Sequence, residues 1–142
     1  MAQLCADAFS GGQYVDQYCD NYIGNSHYDW QVSRLALDGE QVIHHWGVWG
    51  YQMRVESVQL KVAGIGAVVT HPDTRKQGVM HRAAQASFDA MLKEGYDLSI
   101  LRGRHYVKMG YARAWNYVTY RLKPEELPAV ELSQPYQPLK PE

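Results

Sequence analysis

A single mixed sheet, mostly antiparallel and flanked by helices, is the α/β (α+β) architecture that this 142-residue chain predicts. Three observations carry that expectation. Residues 32–70 read as strands, some alternating apolar and polar, one continuously apolar. Before that block, and again over 78–94, apolar residues recur at helical spacing. After it a strand, a short helix and a last strand follow in turn, which places helices on the faces of one sheet.

Residues 1–30 carry Tyr14, Tyr18 and Tyr22 beside Val15, Cys19 and Ile23 at loose helical spacing, punctuated by G-G at 11–12 and G-N-S at 24–26. One or two short helices are expected there. The segments V-S-R-L-A-L (32–37) and Q-V-I-H-H-W-G-V-W (41–49) flank D-G-E, a hairpin signal. V-Q-L-K-V (58–62) alternates strictly and reads as a half-buried strand. A-G-I-G-A-V-V-T (63–70) reads as a central strand buried on both faces. Gly64 and Gly66 within it permit a bulge or a close approach by another group. Met80, Ala83, Ala84, Phe88, Met91 and Leu92 predict a helix from Gly78 to Glu94, ended by Gly95. D-L-S-I-L (97–101) is a short strand, R-H-Y-V-K-M (104–109) a short helix closed by Gly110, and W-N-Y-V-T-Y-R-L (115–122) a last long strand.

Composition narrows the class. Hydrophobic residues make up 46% and charged residues 20%, an ordinary globular mix that excludes a disordered or fibrous chain. Fourteen Lys and Arg against 15 Asp and Glu leave a formal charge of −1. No global basic field points to nucleic acid, so any anion site must be a local cluster. Cys5 and Cys19 form no disulfide framework and suit a reducing compartment. M-A-Q-L-C-A-D-A-F lacks a basic leader region, and no apolar run reaches the roughly 20 residues of a membrane helix. A cytoplasmic protein without membrane contact is expected. Five of the six prolines follow Lys123, so residues 1–122 are expected to fold as one domain and 123–142 to form a Pro-rich tail.

T-H-P-D-T-R-K-Q-G-V-M-H-R-A (70–83) concentrates the chemistry. Arg75, Lys76, His81 and Arg82 surround Gly78 at a helix start, where the helix dipole disfavours cations by about 0.3–1 kcal/mol each. A bound anion reverses that sign, because free N–H groups at a glycine-led helix start already form an anion site. A solvated basic patch is the competing explanation. The stretch is neither a P-loop nor a dinucleotide fingerprint, since G-x-x-x-x-G-K-[ST] and G-x-G-x-x-G are absent.

From about Val32 to Leu122 the chain resembles the GNAT N-acetyltransferase superfamily, whose signature [Q/R]-x-x-G-x-[G/A] stands here as R75-K76-Q77-G78-V79-M80. G-I-G-A-V-V-T-H-P-D-T-R is similar to the strand and loop before that signature. H-Y-V-K-M-G-Y, after G-Y-D-L-S-I-L, looks like the family's second block, F-Y-x-x-F-G-[FY]. The details look most like the Eis-like branch (enhanced intracellular survival type), which Met80 fits; the family's usual first strand has no counterpart before Ala6. The resemblance implies a GNAT-type fold and acetyl-coenzyme A as co-substrate. Val68, Val69 and Thr70 would pair with the pantetheine arm, and Leu101 and Arg102 would flank it. Arg75, Lys76, Gln77, Gly78, Val79, Met80 and His81 would hold the pyrophosphate, with the N–H groups from about Lys76 to His81 as donors. Tyr106 would be the general acid that protonates the departing sulfur; a tyrosine that merely packs its helix is the alternative.

Acetyl transfer to an amine needs a base or water relay, because a free alkylamine titrates near about 10.4. His71, Glu56, His44 and His45 are candidates by type. His44 and His45 are neighbours on a strand and should point to opposite faces, which argues against joint metal binding; no metal is predicted. Trp46, Trp49 and Tyr51 would line an acceptor pocket or, more simply, pack the core. The leading function is transfer of acetyl to a primary amine of a small molecule, such as an aminoglycoside, or to a lysine-like group. The alternative is a non-catalytic acyl-coenzyme A-binding or assembly module. Homo-oligomer formation stays open.

Overall fold

Two glycine breaks separate the first helices as expected. In the computed structural model, which describes residues 1–115, 118–121 and 123, α1 is Ala2–Ser10 and α2 is Val15–Ile23. Gly11 ends α1 in the left-handed conformation (φ 62°), and Gly24 closes α2 by donating its N–H to the Asp20 carbonyl. Strands β1 (Arg34–Asp38), β2 (Gln41–Val55) and β3 (Val58–Thr70) follow, then α3 (Val79–Lys93) and β4 (Leu98–Leu101). The sheet order is β1-β2-β3-β4, antiparallel throughout except for the parallel β3–β4 pair. The fold is a mixed α+β sheet with helices, as predicted. The chain divides after Arg104 into two units.

Two strand boundaries differ from expectation. β2 does not stop at Trp49; it pairs with β3 out to Val55↔Val58 across the turn Glu56-Ser57. That turn escapes a composition reading because it lacks the Asn-Gly or Asp-Gly pair such turns favour; Glu56 itself takes φ 53°. The segments 58–62 and 63–70 are one 13-residue strand, because the alternating and apolar stretches continue the same ladder.

The sheet has two unlike faces. His45 and Trp49 lie on the side of α1 and α2, where Leu4, Cys5, Tyr22, Tyr28 and Val69 form a buried cluster. Trp46, one residue on from His45, points the other way and meets Phe88 of α3 edge-to-face at 5.9 Å. Over His45–Trp49, successive residues of β2 thus turn to opposite faces and feed separate cores, as strand geometry requires.

Glycines make the first face possible. Gly47 and Gly66 are cross-strand partners, and the Trp49 ring lies across both. A Cβ at Gly47 would stand 2.8 Å from His45 Cε1 and 2.9 Å from both the Gly66 carbonyl oxygen and Trp49 Cζ3. Backbone cannot yield there as a flexible side chain would. Gly47→Ala is therefore expected to destabilise the protein by about 1–3 kcal/mol, the usual cost of overpacking. Urea unfolding measures this; an unchanged midpoint would contradict the packing described.

In the second unit, the predicted helix at 104–109 is a single 3₁₀ turn, Val107–Met109, begun by Tyr106 and closed by left-handed Gly110 (φ 92°). The strand expected over 115–122 is absent from the described residues of that stretch. Its apolar members Trp115, Val118 and Tyr120 are exposed, so the burial that would reward pairing is missing. Residues 124–142, most of the predicted Pro-rich tail, lie outside the described residues.

Candidate active site

The site begins where two parallel strands stop pairing. β3 and β4 run together from Val62↔Leu98 to Ile65↔Leu101, and there β4 ends. β3 continues through Gly66–Thr70 with no strand on that side among the described residues. Its other side stays on β2, where the His71 N–H donates to the Ile43 carbonyl at 2.8 Å. Strand alternation then turns the main-chain groups of Val69 toward β2 and those of Thr70 toward the open edge.

A bulge shapes this edge. His45 pairs with Val69 but Gly47 pairs with Gly66, so Ala67 and Val68 together stand opposite Trp46. Ala67 adopts φ 48°, a left-handed conformation unusual for a residue with a side chain. The bulge therefore sits beside the glycines expected to permit it. Gly64 and Gly66 instead make room for aromatic rings: a Cβ there would meet Tyr51 at 2.8 Å and Trp49 at 3.0 Å.

Past Thr70 the chain makes a 3₁₀ turn at Pro72–Thr74 and reaches α3 through Gly78 (φ 75°). Lys76 is also left-handed (φ 62°). Side chains tie down the carbonyls of this loop. Arg75 Nε donates to the Thr70 carbonyl at 3.2 Å, Gln77 Nε2 to Asp73 at 3.2 Å, and Arg82 Nη1 to Gln77 at 3.1 Å. The first helical bond of α3 is Arg82 N–H to the Gly78 carbonyl. Among the described residues, the N–H groups from Lys76 to His81 have no acceptor. No acidic side chain occupies the first turn of α3. A run of free donors at the positive end of a helix, with Arg75, Lys76 and Arg82 close in sequence, is an arrangement able to hold an anion.

The structure thus brings Val68–Thr70 and the Arg75–His81 loop to one end of β3, and places Leu101 beside Ile65 with exposed Arg102 just beyond. Tyr106 belongs to the second unit. Its ring meets Tyr111 edge-to-face at 6.2 Å, and burial pushes its phenol above the usual tyrosine range.

The four candidate bases separate. Glu56 lies in the β2–β3 turn, at the opposite end of a strand roughly 40 Å long. His44 and His45 are fully buried, and burial lowers each to a pKa of about 4. They do point to opposite faces: His44 Nδ1 meets Thr70 Oγ1 at 2.8 Å, whereas His45 reaches Tyr28 and the Ala67 carbonyl. His71 alone of the four stands at the site end of β3 with its side chain partly in solvent, 3.8 Å from an Asp73 oxygen. Among the described residues no group of three or more His, Cys, Asp or Glu could hold a metal ion, and no helix is long and apolar enough to cross a membrane.

The sequence allows a bulge near Gly64 and Gly66, but neither its position at Ala67 nor the part Tyr28 plays beside it can be read there. A left-handed alanine has no compositional signature, and the adjoining Gly66 is the only hint.

The family model described as an acetyltransferase (GNAT) domain matches residues 1–114. No curated protein sequence matches the chain significantly. Among solved structures, the ribosomal-protein-alanine N-acetyltransferase of Brucella melitensis biovar Abortus 2308 is similar with a TM-score of 0.69 at 14% identity, over 85% of this chain and 90% of that one. The glucosamine-6-phosphate N-acetyltransferase of Arabidopsis thaliana gives 0.65 at 11% identity, over 87% and 89%. An aminoglycoside N-acetyltransferase in complex with CoA gives 0.64 at 13% identity, over 82% and 83%. At such identities the likeness is one of fold.

Proposed function

The chain belongs to the GNAT acetyltransferase family, and from that premise we propose that it transfers acetyl from acetyl-coenzyme A to a primary amine. The run of free N–H groups at Lys76–His81, beside the open end of β3, is the observation that carries this reading. Those donors suit a pyrophosphate, with Arg75, Lys76 and Arg82 adding charge. The edge at Val68–Thr70 suits an amide-bearing arm, flanked by Leu101 and Arg102. Two of the similar structures are enzymes named for amine substrates, glucosamine-6-phosphate and aminoglycosides, and the latter was solved with CoA. The signature ending in Met80 fits the Eis-like branch, which makes aminoglycosides the first acceptors to try and lysine-like amines the next.

In this reading the neutral acceptor amine attacks the thioester carbonyl and main-chain N–H groups of the β3 edge stabilise the oxyanion. The amine proton leaves through His71 and water, the carbon–sulfur bond breaks, and Tyr106 protonates the thiolate. The unpaired cysteines, Cys5 and Cys19, fit a cytoplasmic site of action.

Acetyl-coenzyme A at about 100 times its Kd should stabilise the fold by about 2.7 kcal/mol, seen as a rise in Tm. No rise with acetyl-coenzyme A or coenzyme A would overturn the reading. A rise without thiol release across an amine panel would favour the non-catalytic binding module.

A further inference from the structure

We propose that His45 is a positioning residue: it locks the Ala67–Val68 bulge and so decides which main-chain groups of Val68–Thr70 face the open edge of β3. Its kinetic consequence rests on the acetyltransferase reading, whereas its structural consequence does not.

A bulge leaves one residue out of the ladder and needs something to hold it. Here the residue is alanine, for which the left-handed conformation costs about 1–2 kcal/mol. His45 meets that need. Its Nδ1 lies 2.8 Å from the Ala67 carbonyl oxygen and its Nε2 2.8 Å from Tyr28 Oη. A carbonyl only accepts, so Nδ1 carries the proton; Nε2 then accepts, and the Tyr28 hydroxyl donates. Both nitrogens are satisfied in one tautomer and one ring orientation. Cys5 Sγ, 3.7 Å from Nδ1, is a weaker neighbour. The ring is fully buried and held by Tyr22, edge-on at 5.3 Å, and by Tyr28, stacked at 6.1 Å.

The lock sets the register of the last three residues of β3. If the Gly47↔Gly66 register continued without the bulge, His45 would pair with Val68 and His44 with Val69. Every side chain and N–H from Val68 to Thr70 would then exchange sides, since strand periodicity is two. Val69 would leave the core it shares with Leu4, Cys5, Tyr22 and Tyr28. Thr70 would turn its main-chain groups from the open edge to β2. The bulge is thus a register switch set one residue before the segment that must meet the acyl arm.

The test compares His45→Phe, which keeps a ring and loses both nitrogens, with His45→Asn, which keeps a donor near Nδ1. Tyr28→Phe, which removes only the hydroxyl, is the mildest variant. Amide exchange of Val69 and His71 in the free protein should accelerate about fivefold in His45→Phe, with α3 amides unchanged. Turnover should fall about 10–100-fold with KM for acetyl-coenzyme A nearly constant. His45→Asn should recover most of both losses, and Tyr28→Phe should show a smaller shift in the same direction. Wild-type exchange and kcat in His45→Phe, a uniform rise in exchange across the sheet, or no recovery in His45→Asn would each overturn the proposal. Should the wild-type protein transfer no acetyl group, the functional reading fails, and the exchange comparison alone decides on the lock.

Discussion

Lowering the pH from 7 to 4 is expected to remove about 3 kcal/mol of stability for each of His44 and His45. Both side chains are fully buried, and burial is the main cause that lowers each pKa from 6.5 to about 4. The unfolded chain protonates these imidazoles below about pH 6.5, whereas the folded chain holds them neutral until about pH 4. The unfolded state therefore binds more protons throughout that window, and stability drops as pH falls. Two features make the cost hard to relieve. The neighbouring His45 charge opposes protonation of His44, and His44 Nε2 has no hydrogen-bond partner among the described residues, so a proton there would leave a buried donor unpaired. Urea unfolding at pH 7, 5.5 and 4 measures the effect; a midpoint constant across the series would refute it. His45→Asn should flatten the profile, since it removes one of the two titrating groups.

Tyr106→Phe is expected to lower kcat about 10²–10⁴-fold, the range for loss of a positioned proton donor. Burial raises the phenol above its ordinary range, and the substitution removes the one proton that this side chain can give. The substitution keeps the ring that packs against Tyr111. Coenzyme A affinity should therefore stay near the wild-type value while thiol release slows. Calorimetric titration with coenzyme A and a thiol-release assay separate the two effects. Equal turnover in both forms would remove Tyr106 from the chemistry.

Much of the frame is legible in the sequence because it rests on local rules. Gly11, Gly24, Gly78 and Gly110 mark element ends where the chain must turn, and three of them adopt left-handed conformations that favour glycine. Helical spacing places α3 to within a residue of its observed ends, and D-G-E places the first hairpin. The crowding of cations at Gly78 points to the proposed anion site without any knowledge of geometry. Weak local signals leave the rest unread. Glu56-Ser57 carries no turn signature, so the expected strand ends six residues short of β2. The stretch 115–122 is rich in the aromatic and β-branched residues that strands favour, yet such composition states only that a segment can pair.

By itself, then, the sequence determined the order of helices and strands through β4, the glycine hinge at residue 78, and the charge that gathers there. All three arise from dihedral preference, side-chain period and Coulomb's law acting over a few neighbouring residues. Only the tertiary structure decided that Ala67 bulges, that His45 and Tyr28 meet across 17 residues of chain to hold it, and that β3 outruns β4 to leave an open edge. Those outcomes depend on contacts between segments distant in sequence. There a half-buried carbonyl must find its donor and two strands of unequal length must end apart, and no local pattern records either condition.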